Sequence, residues 1–259
     1  MVELVDAPDS KSGGSNTLRV RVSLRPPNKI NMFYKTGLYI NLLKYFFREK
    51  FKNIKEDSNL KFLKNYFKEY KEGFYIDVGC YHPFRLSNTN FLYKKGWKGI
   101  NIDISKKSID LFKISRTRDV NLNLGVSNQE KIMEGYFKKD LFHSNTLNYE
   151  HSKNFLGNSS EKIDIKVQTL NNIIEKYAKD RKINLIDIDC EGEDLNVLKG
   201  LDLKKYDIEL IIIEVHHYNS ETRKKADEIA KIFKSSNFEL LLGPYPGNCI
   251  FKKKHNAKN

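Results

Sequence analysis

Three carboxylates stand at alternate positions in LIDIDCEGEDLNVLKGL, residues 185–201. In an extended chain, Asp187, Asp189 and Glu191 project to the same side. So many carboxylates are unstable together unless they are solvated, protonated, or bound to a ligand or a metal ion. We therefore predict that Asp189 and Glu191 belong to a catalytic site. The alternative is a solvated strand end.

A second segment, IIIEVHHYNSE at residues 211–221, follows an apolar run with Glu214, His216 and His217. The pKa of histidine lies near pH 7, so we predict that either histidine can act as a general base. A histidine can also bind a metal ion together with an acid of the first segment. The spacing is not a diagnostic metal signature, however, and we predict no metal. One histidine can instead be hydrogen-bonded within the fold.

A glycine turn follows the apolar run in FYIDVGCYHPFRLSNT, residues 74–89. A buried strand that ends in Asp77-Val78-Gly79 is typical of a turn beneath a cofactor, where glycine permits close approach. A dinucleotide turn needs G-x-G-x-x-G so that a pyrophosphate can reach the helix N-terminus, and that spacing is missing here. A cofactor without a pyrophosphate, such as S-adenosylmethionine, does not need those glycines.

An acid also closes the next apolar run, at Asp103. After a glycine turn, a helix and a second strand, a carboxylate at this position accepts hydrogen bonds from the ribose hydroxyls of an adenosine-type cofactor. The alternative is a carboxylate that interacts with a helix N-terminus. We predict the ribose contact.

Strands and helices alternate along most of the chain. Periodicity predicts helices within 33–70 that cover one edge of the sheet, and Ser87, Ser105 and Thr169 as helix caps. It predicts strands at 74–78, 99–102, 120–124, 131–138, 162–167, 185–188, 208–215, 238–242 and 249–252. This alternation predicts a doubly wound, mostly parallel sheet with helices on both faces, extra N-terminal helices and a C-terminal antiparallel hairpin.

The strand ends locate the site, because ligands of such sheets lie beyond the carboxyl ends of the strands. The polar stretch 142–160 is predicted to be a long loop that carries substrate contacts. The predicted cofactor contacts are Asp77, Gly79, Cys80, Tyr81, Asp103, Ile104, Val126, Ser127 and Asp189. The predicted substrate contacts are His82, Asn88, His143 and Ser144.

The composition limits the class of protein. The 259 residues are 39% hydrophobic, which suits one α/β domain, and no apolar stretch approaches the roughly 20 residues of a membrane span. The three cysteines lack paired spacing, so we expect a soluble protein of the reduced cytoplasm. The net charge of +13 suggests nucleic acid, but the lysines are scattered among acids, and we do not expect nucleic-acid binding.

The first 31 residues differ from the rest of the chain. They contain three of the six prolines but no apolar core of a signal peptide. Val20-Arg21-Val22 is what the T-arm of a transfer-RNA gene would encode. Our hypothesis is that translation starts at Met32 and that residues 1–31 are not native. The alternative is a disordered arm.

Two blocks together resemble one family. YIDVGCYHPFRLSNTNFLYKKGWKGINID, residues 75–103, and VQTLNNIIEKY with INLIDIDCEGEDLNVLKGL, between residues 167 and 201, are similar to the FkbM family of S-adenosylmethionine-dependent methyltransferases. The likeness covers about residues 74–251. It implies a class I, Rossmann-like fold with a seven-stranded, mostly parallel sheet. It also implies O-methylation, often of sugars in polysaccharide or natural-product biosynthesis.

The resemblance also implies roles for residues. Asp77 and Gly79 would belong to the cofactor turn, Asp103 would bind the ribose, and residues 189–192 would form the floor of the active site. Tyr81-His82-Pro83 departs from the many members that have a further glycine, and is similar to a subset with YHP and SNT. Whether His82 or residues 87–89 contact cofactor or substrate stays open.

We therefore predict an O-methyltransferase that uses S-adenosylmethionine and acts on a sugar hydroxyl of a small molecule or glycan. The base candidates, in order, are His216, His217, Glu191 and Asp189. The predicted domains are an N-terminal helical segment at 32–72, a methyltransferase domain at 73–254 and a tail at 255–259. The alternatives are a nicotinamide-dependent oxidoreductase of Rossmann type and a non-catalytic, basic RNA-binding module.

Overall fold

The computed structural model describes residues 29–51, 58–138, 142–157, 160–215, 219–243 and 247–254. The helices are α1 Lys29–Phe51, α2 Ser58–Tyr66, α3 Asn90–Lys94, α4 Lys106–Ser115, α5 Tyr149–Phe155, α6 Leu170–Tyr177, α7 Asp194–Lys199 and α8 Ser220–Ser235. The strands are β1 Phe74–Val78, β2 Lys98–Asp103, β3 Val120–Asn123, β4 Gly125–Val126, β5 Lys131–Phe137, β6 Glu161–Gln168, β7 Ile183–Ile188, β8 Ile208–Val215, β9 Phe238–Leu242 and β10 Gly247–Lys253.

The main sheet has seven strands in the order β3-β2-β1-β7-β8-β10-β9. Strands β3, β2, β1, β7 and β8 run parallel to one another, whereas β10 is antiparallel to both β8 and β9. The predicted mostly parallel sheet with a C-terminal antiparallel hairpin is confirmed. The parallel order brings the carboxyl ends of β1, β2 and β7 to one edge of the sheet.

A second, three-stranded sheet has the order β4-β6-β5. The strands predicted at 131–138 and 162–167 pair here, antiparallel to each other, and not in the main sheet. The stretch predicted as one long loop at 142–160 contains helix α5. Asn148 caps this helix, because its side chain accepts a hydrogen bond from the His151 amide. The loop prediction was therefore wrong for this part of the chain.

Both faces of the main sheet are covered, as predicted for a doubly wound fold. Alternate residues of β1, β7 and β8, such as Ile76, Ile186 and Ile211, pack with side chains of α6, α7 and α8 on one face. On the other face, Tyr75 and its neighbours pack with α2, α3 and Trp97. Helix α2 therefore covers a face and not the edge that we predicted. None of the described helices is long and apolar enough to cross a membrane.

A buried arginine holds the segment that follows β1. The guanidinium of Arg116 donates hydrogen bonds to Thr89 Oγ1 at 2.7 Å, Ser87 Oγ at 2.8 Å and the Pro83 carbonyl at 2.7 Å. Thr89 in turn donates to Asp77 Oδ2 at 2.5 Å. Burial raises the pKa of Asp77, and the guanidinium opposes part of that rise. Residues 83–89 are thereby tied to the end of the central strand.

The same network explains one wrong helix cap. Ser105 and Thr169 accept the predicted hydrogen bonds at the starts of α4 and α6, so these two caps are confirmed. Ser87 was predicted to cap the helix after β1, but α3 begins at Asn90 and Thr89 precedes it without a side-chain cap. The hydroxyl groups that would cap this helix are engaged by Arg116 and Asp77.

Replacing Arg116 by methionine tests the network. We expect Arg116→Met to lower the free energy of unfolding by about 3–5 kcal/mol, because it leaves buried acceptors and the Asp77 carboxylate without their cation. Arg118→Met removes an exposed arginine of the same segment, and we expect a change below about 1 kcal/mol. Urea denaturation of both variants measures the difference. Equal losses of stability would contradict the assigned role of Arg116.

Candidate active site

A cleft lies at the carboxyl ends of β1, β2 and β7, beside the strand β4 of the second sheet. The space between its walls, counted together with the open solvent at its mouth, is about 480 Å³. Gly79, Asp103 and Glu191, from three different strand ends, all line it. Of the predicted site residues, those that line the cleft are Gly79, Asp103, Ile104, Val126, His143, Asp189 and Glu191.

The floor of the cleft is the crossing of two backbone segments. Gly79 has φ +83°, and a Cβ built on it would lie 1.7 Å from the carbonyl oxygen of Asp189. The Asp189 amide donates to the Val78 carbonyl at 3.0 Å, which fixes this approach. We call residues 78–79 and 189 the β1–β7 junction. The sequence predicted that glycine stands here so that a cofactor can approach closely. In the structure, glycine is required because the Asp189 carbonyl occupies the space that a side chain would need.

Asp103 is held in place by backbone amides. Its Oδ2 accepts a hydrogen bond from the Tyr81 amide at 2.8 Å, and its Oδ1 accepts one from the Ser105 amide at 2.7 Å. Burial raises its pKa to about 6, although these hydrogen bonds favour the charged form. A carboxylate has about four acceptor positions, so two hydrogen-bond donors of a ligand can still be accommodated. Tyr81 has φ +48°, which is uncommon for a residue with a side chain.

Glu191 lies between two histidines. Its Oε2 is 2.9 Å from Nε2 of the buried His151, and its Oε1 is 3.8 Å from Nδ1 of the half-exposed His143. Ser144 Oγ lies 2.9 Å from the same His143 nitrogen. The Glu191 backbone has φ +51°, and its carbonyl accepts a hydrogen bond from Thr146 at 2.8 Å. One carboxylate oxygen thus lies against the His151 ring, while the other is on the side of His143.

His151 was not among the predicted site residues. The polar stretch around it was interpreted as a loop, and a loop gives no fixed relation between His151 and Glu191. The sequence did carry one signal, since Asn148 stands three residues before His151 in the spacing of a helix cap. The cap starts α5 and so fixes the position of His151.

Further carboxylates lie below the Glu191 turn. Burial raises the pKa of Asp189 well above its usual value, and the negative charge of Glu214 adds to the rise. Burial and Glu214 raise the pKa of Asp194 to about 7. Asp194 also accepts hydrogen bonds from the amides of Cys190 at 2.8 Å and Gly192 at 3.0 Å, so it stabilises the turn. The carboxyl groups around the Glu191 turn therefore favour their protonated forms when no cation is near.

His82 is a buried residue that stabilises the segment after β1. It is fully buried, its Nε2 lies 2.8 Å from Asn41 Oδ1, and its Nδ1 accepts hydrogen bonds from the amides of Phe84 and Arg85 at 3.1 Å. Burial lowers the pKa of His82 to about 3, and the charges of Arg85 and Arg116 act in the same direction. Both ring nitrogens are occupied within the protein. The prediction that His82 contacts substrate does not fit this arrangement.

Several other predicted residues also have partners within the protein. Cys80 is buried with Ile109 and Phe112, Asn88 donates to Asp187 at 3.0 Å, and Ser127 donates to Glu193 at 2.6 Å. The Asp77 carboxylate is bound to Thr89, and the Tyr81 hydroxyl accepts a hydrogen bond from Arg85. These residues shape the turns around the cleft. The predicted bases His216 and His217 lie outside the described residues.

The sequence matches one protein family. A family profile described as Methyltransferase FkbM domain matches residues 77–240, which is more than half of the chain. The chain belongs to the FkbM methyltransferase family. Membership agrees with the class I methyltransferase fold of the main sheet. No curated protein matches the sequence. In the described ranges, no three His, Cys, Asp or Glu side chains are arranged to hold a metal ion.

Solved structures of methyltransferases resemble this FkbM chain. The methyltransferase FkbM from Methylobacillus flagellatus KT is 14% identical with a TM-score of 0.47, over 70% of this chain and 44% of that protein. The chain thus spans less than half the length of that protein. A putative rRNA-methylase from Clostridium thermocellum is 11% identical with a TM-score of 0.45, over 79% and 100% of the two chains. The SAH-bound methyltransferase PaMTH1 from Podospora anserina is 10% identical with a TM-score of 0.42, over 90% and 99%.

The packing at the β1–β7 junction predicts that alanine costs more stability at Gly79 than at Gly96, although both glycines have positive φ. Gly96 has φ +94° with nothing within 4 Å of an added Cβ, so we expect Gly96→Ala to lose only about 1–2 kcal/mol of stability through backbone strain. Gly79→Ala carries the same strain and also displaces the Asp189 carbonyl, which we expect to cost a further 1–3 kcal/mol or so. Thermal denaturation of both variants measures this. Equal losses would show that the junction is not tightly packed.

Proposed function

We propose that the chain is an S-adenosylmethionine-dependent O-methyltransferase whose acceptor is a sugar hydroxyl. The supporting observation is that the β1–β7 junction, Asp103 and Glu191 line one cleft at the carboxyl ends of parallel strands. Family membership favours methyl transfer over the nicotinamide-dependent oxidoreductase and the non-catalytic RNA-binding module.

The residues of the cleft fit S-adenosylmethionine. Ile104, Leu124 and Val126 form an apolar wall that suits an adenine ring. Asp103 offers carboxylate oxygens to the ribose hydroxyls. The acidic floor around Asp189 suits the positive charge of the cofactor, because a nearby cation favours ionised carboxylates. When bound, S-adenosylmethionine supplies the methyl group.

Glu191 is the base that this geometry favours. A hydroxyl acceptor must lose a proton as its oxygen is methylated, and a positioned carboxylate can accept it. His151, 2.9 Å from one Glu191 oxygen, fixes the side chain, and the 19% exposure of the side chain leaves it accessible from the cleft. The proton of the acceptor hydroxyl goes to Glu191. His143 Nδ1 lies 3.8 Å from the other Glu191 oxygen. From this position its ring can hydrogen-bond to the acceptor oxygen.

The family resemblance is the reason for proposing a sugar acceptor. The polar side chains that line another part of the cleft are suited to bind sugar hydroxyls. His143, Asn145 and Thr146 line the cleft with donors and acceptors for hydroxyl groups. The test is transfer of a labelled methyl group from S-adenosylmethionine to a panel of free sugars, nucleotide sugars, amines and RNA. Label on a sugar hydroxyl supports the proposal, and label found only on amines or RNA contradicts it.

The pH dependence of cofactor binding tests Asp103. Its pKa of about 6 means that the carboxylate loses its charge as the pH falls below that value. We expect the affinity for S-adenosylhomocysteine to fall roughly tenfold between about pH 7 and about pH 5, because a protonated Asp103 accepts fewer hydrogen bonds from ribose. Calorimetry measures this affinity. Asp103→Asn should bind weakly without that pH dependence, whereas Asp227→Asn, an exposed change on α8, should behave as wild type.

Methyl-transfer rates test Glu191. We expect Glu191→Gln to lower kcat by about 10²–10⁴-fold with S-adenosylhomocysteine binding retained, because the amide cannot accept the proton. His151→Gln should lower kcat less and leave KM for the acceptor nearly unchanged, as a positioning residue does. Glu150→Gln is the control, since Glu150 is exposed on the same helix as His151. A wild-type rate for Glu191→Gln would exclude Glu191 as the base.

A further inference from the structure

Helix α1 has an exposed apolar face. Met32, Phe33, Tyr39, Ile40 and Leu43, which we call the α1 outer face, are each between 54% and 70% exposed. Their spacing of three, four and seven residues places them on one side of the helix. Isolated exposed apolar residues are common on proteins, but a contiguous apolar face marks a site of interaction.

The opposite side of α1 is anchored to the protein. Leu38 and Leu42 are buried and pack with Leu111 of α4. Asn41 contacts His82, and the ring of Tyr45 lies 4.7 Å from the His82 ring. The helix is therefore fixed beside the segment that follows the β1–β7 junction. The α1 outer face is on the side of the helix away from these contacts.

Basic residues flank the α1 outer face. The helix sequence KINMFYKTGLYINLLKYFFREKF contains five lysines and arginines and one acid, Glu49. Lys35, Lys44 and Arg48 are exposed in the described part of this helix. The neighbouring helix α4 adds Lys113 beside Tyr34 and Lys35, whereas its Lys106 forms an ion pair with Asp110. An apolar face with basic flanks is complementary to a surface that is apolar beneath a layer of negative charge.

We propose that the α1 outer face docks on the surface of an anionic lipid bilayer. Apolar and aromatic side chains of an interfacial helix enter the boundary between headgroups and acyl chains, and long basic side chains reach the lipid phosphates. A second copy of this chain fits less well, because a twofold contact through α1 would bring its basic residues against the same basic residues. The net charge of +13 adds to that repulsion.

Vesicle co-sedimentation of the full chain tests the proposal. The probes are vesicles of phosphatidylcholine alone and of phosphatidylcholine with phosphatidylglycerol. We expect binding to the anionic vesicles that weakens as salt is raised. A triple variant with Phe33→Ser, Ile40→Ser and Leu43→Ser should lose it. Ile132→Ser, which removes an apolar residue 71% exposed on β5, is the matched control and should bind as wild type.

A charge variant tests the electrostatic part without altering the apolar face. Each basic residue near an anionic membrane contributes on the order of fivefold to binding, so we expect Lys44→Gln with Arg48→Gln to weaken binding by about 30-fold. Lys231→Gln with Lys234→Gln removes two exposed charges from α8 and should have little effect. These exposed changes leave the core intact.

Three outcomes would overturn the proposal. The first is no binding of the wild-type chain to either vesicle. The second is equal binding of the triple variant and the Ile132→Ser control. The third is a dimer in sedimentation velocity that the triple variant abolishes while vesicle binding persists, which would assign the α1 outer face to a second copy.

Discussion

The close approach of two strand ends at Gly79 and Asp189 is the constraint on which the rest of the site depends. The approach leaves no room for a side chain at position 79, and it is fixed by the hydrogen bond from the Asp189 amide to Val78. The segment after Gly79 supplies the amide that holds Asp103, and the segment after Asp189 supplies Glu191. The contact between Gly79 and Asp189 thus helps to fix how far Asp103 lies from Glu191.

Charge is the second organising feature of the site. Burial and mutual repulsion raise the pKa values of Asp189 and Asp194, so the floor holds protons that a bound cation would displace. The Arg116 guanidinium is hydrogen-bonded to backbone and hydroxyl groups of residues 83–89. Asp103, Asp189 and Glu191 line the cleft, and this charge is the electrostatic argument for the sulfonium cofactor of the proposed function.

The sequence predicted the sheet and the strand ends well, because apolar runs and helix caps are local signals. Through the rule for the carboxyl ends of parallel strands, it brought together Gly79, Asp103 and Glu191, which line one cleft in the structure. It did not predict that His82 and Asn88 are hydrogen-bonded within the protein, because their partners Asn41 and Asp187 are far away along the chain. The contact between His151 and Glu191 was missed for the same reason, since it depends on the packing of α5.

The central claim is that the adenosyl cofactor binds in the cleft between Asp103 and Glu191. A crystal structure of the chain with S-adenosylhomocysteine tests it most directly. The account predicts the ribose hydroxyls within hydrogen-bonding distance of the Asp103 carboxylate, the adenine against Val126, and the sulfur on the side of Glu191. A cofactor bound at another edge of the sheet, or with its ribose away from Asp103, would contradict it.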